Sequence, residues 1–254
     1  MTRARVEATS LLVVTALLVA AVVLVPWPLA AWATGTTWAG PDSLAHAVGE
    51  GLLSDVRHGI PTPGRGESAL TAPTQFWRGF HLVKAVLGAA LLGVAVLATM
   101  GSGRRNGVLV RRVRRLAGAG LAAIALVVTL ANIQGAMTPL ASVLSLLPDD
   151  PDSTTLRLVV PALRADLEDG AAGPLTVALL RDFSTYHLVL AVLAGMTALG
   201  LAALGVTGWR RARLVAGFLV GGAVGAAVVA AANVGTALDP GPALDAFLRG
   251  IPLG

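Results

Sequence analysis

The chain has 254 residues, of which 55% are hydrophobic, only 13% charged and 4% aromatic, with a mean hydropathy of +0.76. Soluble domains carry about 25% charged residues, so this composition excludes a disordered chain and argues against one soluble globule. A net charge of +5 and a pI near 11.1 invite a nucleic-acid reading, which the placement of the charges must decide. With no cysteine, disulfide frameworks, thiolate metal sites and cysteine nucleophiles are all excluded.

A membrane-spanning helix needs about 20 mostly apolar residues. Five stretches qualify: 10–32, 80–101, 116–137, 186–208 and 214–236. The expected fold is therefore an all-α integral membrane protein of five transmembrane helices. Residues 1–9 precede the first span, which carries Pro26 and Pro28 near its far end, where a kink is expected. Ala31-Trp32-Ala33 resembles a signal-peptidase site. The apolar run before it is long for a signal peptide, whose core is about 7–15 residues, so a retained anchor is expected.

Arginines set the orientation. Arg3 and Arg5 precede the first span, Arg104 to Arg115 contribute six to the loop between the second and third, and Arg210, Arg211 and Arg213 fill the turn between the fourth and fifth. These regions alternate correctly with the N-terminus cytoplasmic and the C-terminus outside. The inner side then holds 11 arginines against Glu7, and the outer side 7 arginines against 13 acids. The basic pI reads as a topology signal for a plasma or inner membrane, not as a nucleic-acid footprint.

Residues 33–79 form a first outer loop. The chain then repeats itself: His81-Leu-Val-Lys84-Ala-Val-Leu87 opens the second span and His187-Leu-Val-Leu190-Ala-Val-Leu193 the fourth, identical at six of seven positions. Ala131-Asn132-Ile133 closes the third span and Ala232-Asn233-Val234 the fifth, each followed by a proline, Pro139 or Pro240. Residues 80–137 and 186–236 are thus expected to be two tandem hairpins of equal orientation, a parallel repeat. A third echo, Gly59-Ile60-Pro61 with Gly250-Ile251-Pro252, is weak. Small-residue stripes mark helix contacts: His81, Ala85, Ala89 and Gly93; His187, Ala191, Gly195 and Leu199; and Gly217, Gly221 and Gly225. Packing within one bundle is the plainer expectation for the last, and a homo-oligomer or protein partner the alternative.

The outer segments 138–185 and 237–254 carry short amphipathic patterns. Leu156, Val159, Val160, Leu163 and Leu167 fall at helical spacing between Ser153 and Asp169, with Pro161 expected to bend that helix. Leu144 and Leu147, and Leu244, Phe247 and Leu248, look like shorter versions. No alternating strand pattern is present, so a helical cap over the outer mouth is expected.

Candidate site residues are few. His81 and His187 hold equivalent positions and could ligate haem b axially; a polar residue satisfied at the helix entrance is the simpler account. Asp42, His46 and Glu50, with Asp55 and His58 nearby, could line a helix face, but no metal motif is present and a solvated surface is expected. Asp149, Asp150 and Asp152 read as a solvated loop with Asp152 or Ser153 capping the next helix. Lys84 is the one charged residue within the spans. It can snorkel to the interface, or join His81, His187, Asn132, Gln134 and Asn233 in a pocket for an anionic headgroup or small carboxylate. No nucleophile motif or phosphate loop is present. The leading expectation is a non-enzymatic scaffold or accessory subunit in the lipid bilayer, with a haem or anionic-lipid binder and a small oligomeric transporter as alternatives.

Overall fold

The computed structural model describes residues 3–58, 68–100, 108–147, 154–169, 172–210 and 212–251. The acidic run at Asp149 to Asp152, Ser153, Gly59-Ile60-Pro61, Arg104, Arg105 and Arg211 lie outside them. Every element among the described residues is helical: α1 (Arg3–Leu24), α2 (Pro26–Thr34), α3 (Pro41–His58), α4 (Thr71–Met100), α5 (Val108–Met137), α6 (Pro139–Val143), α7 (Thr154–Glu168), α8 (Pro174–Gly208), α9 (Arg213–Leu238) and α10 (Gly241–Arg249), with one 3₁₀ turn at Leu144–Leu146. Four of these, α4, α5, α8 and α9, are long and apolar enough to cross a membrane. The number becomes five if α1 and α2 make one span, bent by 52°. The bend lies at the expected prolines. Pro26 and Pro28 have no N–H to offer the carbonyls of Val22 and Leu24, so the hydrogen-bond ladder breaks there. Gly35 ends α2 in the left-handed conformation, φ 67°, which a glycine adopts without strain.

The chain divides into two compact units. The first comprises Met1–Thr37 and Gln75–Ala136. In it α2 lies on α4, with Ala30 fully buried beside Gly79 and Trp27 edge-on to Phe76 at 4.8 Å. The α4–α5 seam uses Ala85, Gly88, Leu91 and Ala95 of α4, where Gly88 lets Thr129 of α5 approach. This seam departs from the expected stripe: Ala89 is exposed and Gly93 meets nothing within 4 Å. Steps of four residues advance about 400°, so a stripe of pure i+4 steps drifts about 40° per step and leaves the contact line. Alternating steps of three and four hold it.

The second unit comprises Trp38–Thr74 and Met137–Gly254. Its α8–α9 pair has the same kind of seam, with Ala191, Ala194, Ala198 and Gly205 of α8 buried against a face of α9 that includes Ala216 and Ala223. Leu199, expected on the seam, is 74% exposed. Gly217, Gly221 and Gly225 are also off the seam: a Cβ at any of them would meet nothing within 4 Å.

At the end of α8 remote from the Arg210 turn, α3, α6, the 3₁₀ turn, α7 and α10 build a cap around the first three turns of α8. Leu44, Val48, Leu52, Leu70, Leu144, Leu156, Val159, Val160, Leu163, Leu175, Leu179, Leu244 and Leu248 make its core, each at most 5% exposed. Alternation of these residues with charged ones is why short helices form here: each needs a neighbour to cover its apolar face. The helical pattern expected for Leu156 to Leu163 is α7 itself. The cap also explains why α4 and α8 begin at Thr71 and Pro174, well before residues 80 and 186. Gln75, Arg78, Arg181 and Asp182 end the apolar runs, yet the helices continue through them, and in α8 Leu175 and Leu179 carry the continuation into the cap core.

Polar and charged side chains, buried and at the surface, fasten the cap. Asp55, 1% exposed, accepts from the Ser68 hydroxyl at 2.6 Å and the Ala69 N–H at 3.3 Å. Asp166 accepts from the Gly173 N–H and the Thr176 hydroxyl, holding the start of α8 to α7. Asp245 of α10 bonds Arg164 of α7 at 3.1 Å and Arg249 at 2.6 Å.

Candidate functional site

Each hairpin joins its two helices by one histidine–asparagine bond. His81 Nδ1 of α4 lies 2.8 Å from Asn132 Oδ1 of α5, and His187 Nδ1 of α8 lies 2.7 Å from Asn233 Oδ1 of α9. The amide orientation settles the tautomer. Asn132 Nδ2 donates to Val128 O and Asn233 Nδ2 to Val229 O, so Oδ1 faces the imidazole and must accept. With that amide orientation Nδ1 of each ring carries a proton and donates it to the asparagine. A bond of this kind satisfies two polar groups where the helices run beside apolar neighbours, and it fixes the register of the hairpin.

The surroundings of the two rings differ. His81 is packed by Trp77, edge-on at 4.7 Å, and by Phe80 at 5.6 Å, while Trp77 and Phe80 stack on each other at 4.9 Å. Its face rests on Gly135. A Cβ there would stand 2.7 Å from Nε2 and 2.8 Å from Cδ2 and Cε1, over the ring and not beyond its tip. Gly135 is a residue that sequence reasoning missed; its position one turn after Asn132 is the signal that could have found it. His187 has Tyr186 at 5.4 Å and Phe183 at 5.8 Å, and Phe183 also meets Phe247 of α10 at 6.0 Å. His187 lines a cavity of about 360 Å³ with Ala141, Ser142, Ser145, Phe183, Tyr186, Ala243 and Phe247.

Lys84 is half-buried, and its Nζ lies 5.0 Å from the centroid of the Phe80 ring, one turn toward the start of α4. The contact is a cation–π one between residues one turn apart on the same helix. Asn132 and Gln134 are buried in the first unit with His81 and Lys84, whereas His187 and Asn233 belong to the second. For the haem expectation, Nδ1 of each ring is engaged by an asparagine.

The residues considered for a metal are spread out. Asp42, His46 and Glu50 do share α3 and are exposed, and Glu50 accepts from Thr155 of α7 at 2.9 Å. Among the described residues no three histidine or carboxylate side chains converge as a metal site needs.

Asp182 also escaped the sequence reading. Its Oδ2 accepts the Ala141 N–H at 2.6 Å, so α8 supplies the cap that the start of α6 lacks. The partner is 41 residues away, beyond any local motif.

No protein-family model matches the chain, no curated protein matches its sequence and no solved structure matches its fold.

Proposed function

We propose that this chain is a non-enzymatic assembly subunit of a plasma or inner membrane. Its N-terminus would be cytoplasmic, its cap outside, and α9 would offer a helix-docking face to another subunit. The observation that carries the reading is the open glycine face of α9. Within the second unit Gly217, Gly221 and Gly225 are exposed, with no atom of that unit within 4 Å of any added Cβ, while α9 packs on α8 through Ala216 and Ala223. In lipid, a small-residue face gains from close backbone approach by another helix, since lipid tails and leucines are equally apolar. A second copy is the simplest occupant, because a twofold axis brings the same face to itself.

Three further features support the arrangement. The arginine-rich turns alternate as the positive-inside pattern requires. The two hairpins share both sequence and the histidine–asparagine bond, in keeping with a duplicated unit. The cap has its own apolar core, so its described helices present a built surface. The chain's lack of cysteine makes the test direct. Gly221→Cys in otherwise native membranes should form a disulfide-linked dimer under mild oxidation, and Gly221→Ile should lower the oligomer mass in mild detergent. A chain that stays monomeric in both detergent and nanodiscs, with no cross-link at position 217, 221 or 225, would overturn the proposal.

A further inference from the structure

We infer that the second hairpin holds a binding site for a small aromatic molecule bearing a hydroxyl donor, a phenol or hydroquinone head, with His187 Nε2 as the acceptor. The inference stands apart from assembly through α9 and needs only the second unit. It starts from a difference between two alike histidine environments. Around His81 the chain fills its own space, with Trp77 against the ring edge and Gly135 under its face. At the corresponding places the second hairpin has Phe183 for Trp77 and Thr236 for Gly135, counted from the matched His and Asn positions. Beside Phe183 the second unit holds a cavity of about 360 Å³, which falls within the range of about 300–1,000 Å³ typical of ligand pockets.

The chemistry of the lining selects the ligand. Phe183 and Phe247 stand 6.0 Å apart and inclined at 57°, and Tyr186 adds a third ring. Aromatic walls favour a flat apolar ring, through burial and edge-to-face contact. The lining carries the hydroxyls of Ser142, Ser145 and Tyr186 and one imidazole, that of His187. Its Nδ1–H is committed to Asn233, so a neutral His187 presents a lone pair at Nε2 and accepts from a donor. The bond to Asn233 Oδ1 also fixes the ring's orientation, as carbonyl partners do for ligating histidines. A carboxylate or phosphate finds no cation among the lining residues. An apolar ring with one O–H meets both requirements. The same head can arrive from water as a free phenol or from the bilayer on a hydrophobic tail.

The full-length chain in nanodiscs would be titrated with 2-naphthol, followed by its fluorescence, and with 2-methoxynaphthalene, which keeps the rings and lacks the donor. Saturable 2-naphthol binding is expected, at least about tenfold tighter than the methoxy compound, in line with the penalty for an unmatched buried polar group. His187→Phe should abolish that preference. Ala243→Trp should block both compounds by filling the cavity while leaving the His187–Asn233 bond in place, so the proposal remains testable if His187→Phe does not fold. Displacement of 2-naphthol by a long-chain hydroquinone would assign the membrane as source; displacement only by soluble phenols would assign water. Equal binding of the two naphthalenes, or binding indifferent to Ala243→Trp, would overturn the site.

Discussion

Asp182 Oδ2 accepts the backbone N–H of Ala141 at 2.6 Å, a carboxylate on the long helix α8 capping the one-turn helix α6. Thr138, which precedes α6, makes no side-chain cap of its own, and Pro139 brings no N–H. The negative charge at a helix start is favourable for both hydrogen bonding and the local dipoles. Asp182→Ala should therefore destabilise the protein by about 1–2 kcal/mol. Protease susceptibility should rise between Thr138 and Leu147, and Asp182→Asn should recover part of the loss. A melting curve in detergent together with limited proteolysis would read both effects.

Gly135→Ala places a methyl group where the His81 ring lies, 2.7–2.8 Å from three of its atoms. The ring must shift, and the bond to Asn132 should weaken with it. Overpacking of this kind costs about 1–3 kcal/mol. Gly93→Ala, in the same unit and with open space around its Cα, should leave the melting temperature unchanged or slightly raised. Equal effects at the two glycines would remove the packing argument for His81.

Asp245 gives the cap a pH dependence of known sign. The hydrogen bond from Arg249 comes first among the causes that hold its carboxyl below the ordinary range, and Arg164 adds to it. A carboxyl with a lowered folded-state value contributes stability above its unfolded value, about 3.9, and loses it as pH falls through the folded one. Amide exchange in α10 should quicken below about pH 4. It should do so less in Asp245→Asn, and high salt should mimic part of the change because the pair is at the surface.

Sidedness can be measured with single cysteines in this cysteine-free chain. A cysteine at the exposed Ser145 should react in intact cells with a membrane-impermeant maleimide, whereas one at Arg213 should react only after permeabilisation. The reverse pattern would invert the proposed orientation, and labelling of both in intact cells would argue against a spanning α8–α9 hairpin.

Much of the architecture was legible in residue order because it depends on local quantities. Hydropathy over about 20 residues marks a span, and the four long helices follow those marks. Pro26 and Pro28 break a hydrogen-bond ladder wherever they occur, and the bend between α1 and α2 lies there. The spacing of Leu156, Val159, Val160, Leu163 and Leu167 describes one face of α7; the first four are buried and Leu167 is half-buried. The matched His-Leu-Val and Ala-Asn segments singled out His81, His187, Asn132 and Asn233 before any contact was known.

What each of those residues touches was decided by the fold. His81 and Asn132 are 51 residues apart, His187 and Asn233 are 46, and Asp182 and Ala141 are 41, so no local pattern relates them. The seam between two helices also depends on both partners: it mixes steps of three and four, whereas a stripe of every fourth residue drifts off it. For that reason the glycines of α9, though they form a stripe in the sequence, lie off its seam with α8. The unequal charge of the chain, basic overall with one lysine in its spans, was a property of composition. Only tertiary structure could turn that lysine toward Phe80 and place a cavity beside His187, because shape and hydrogen-bond direction arise when the helices meet.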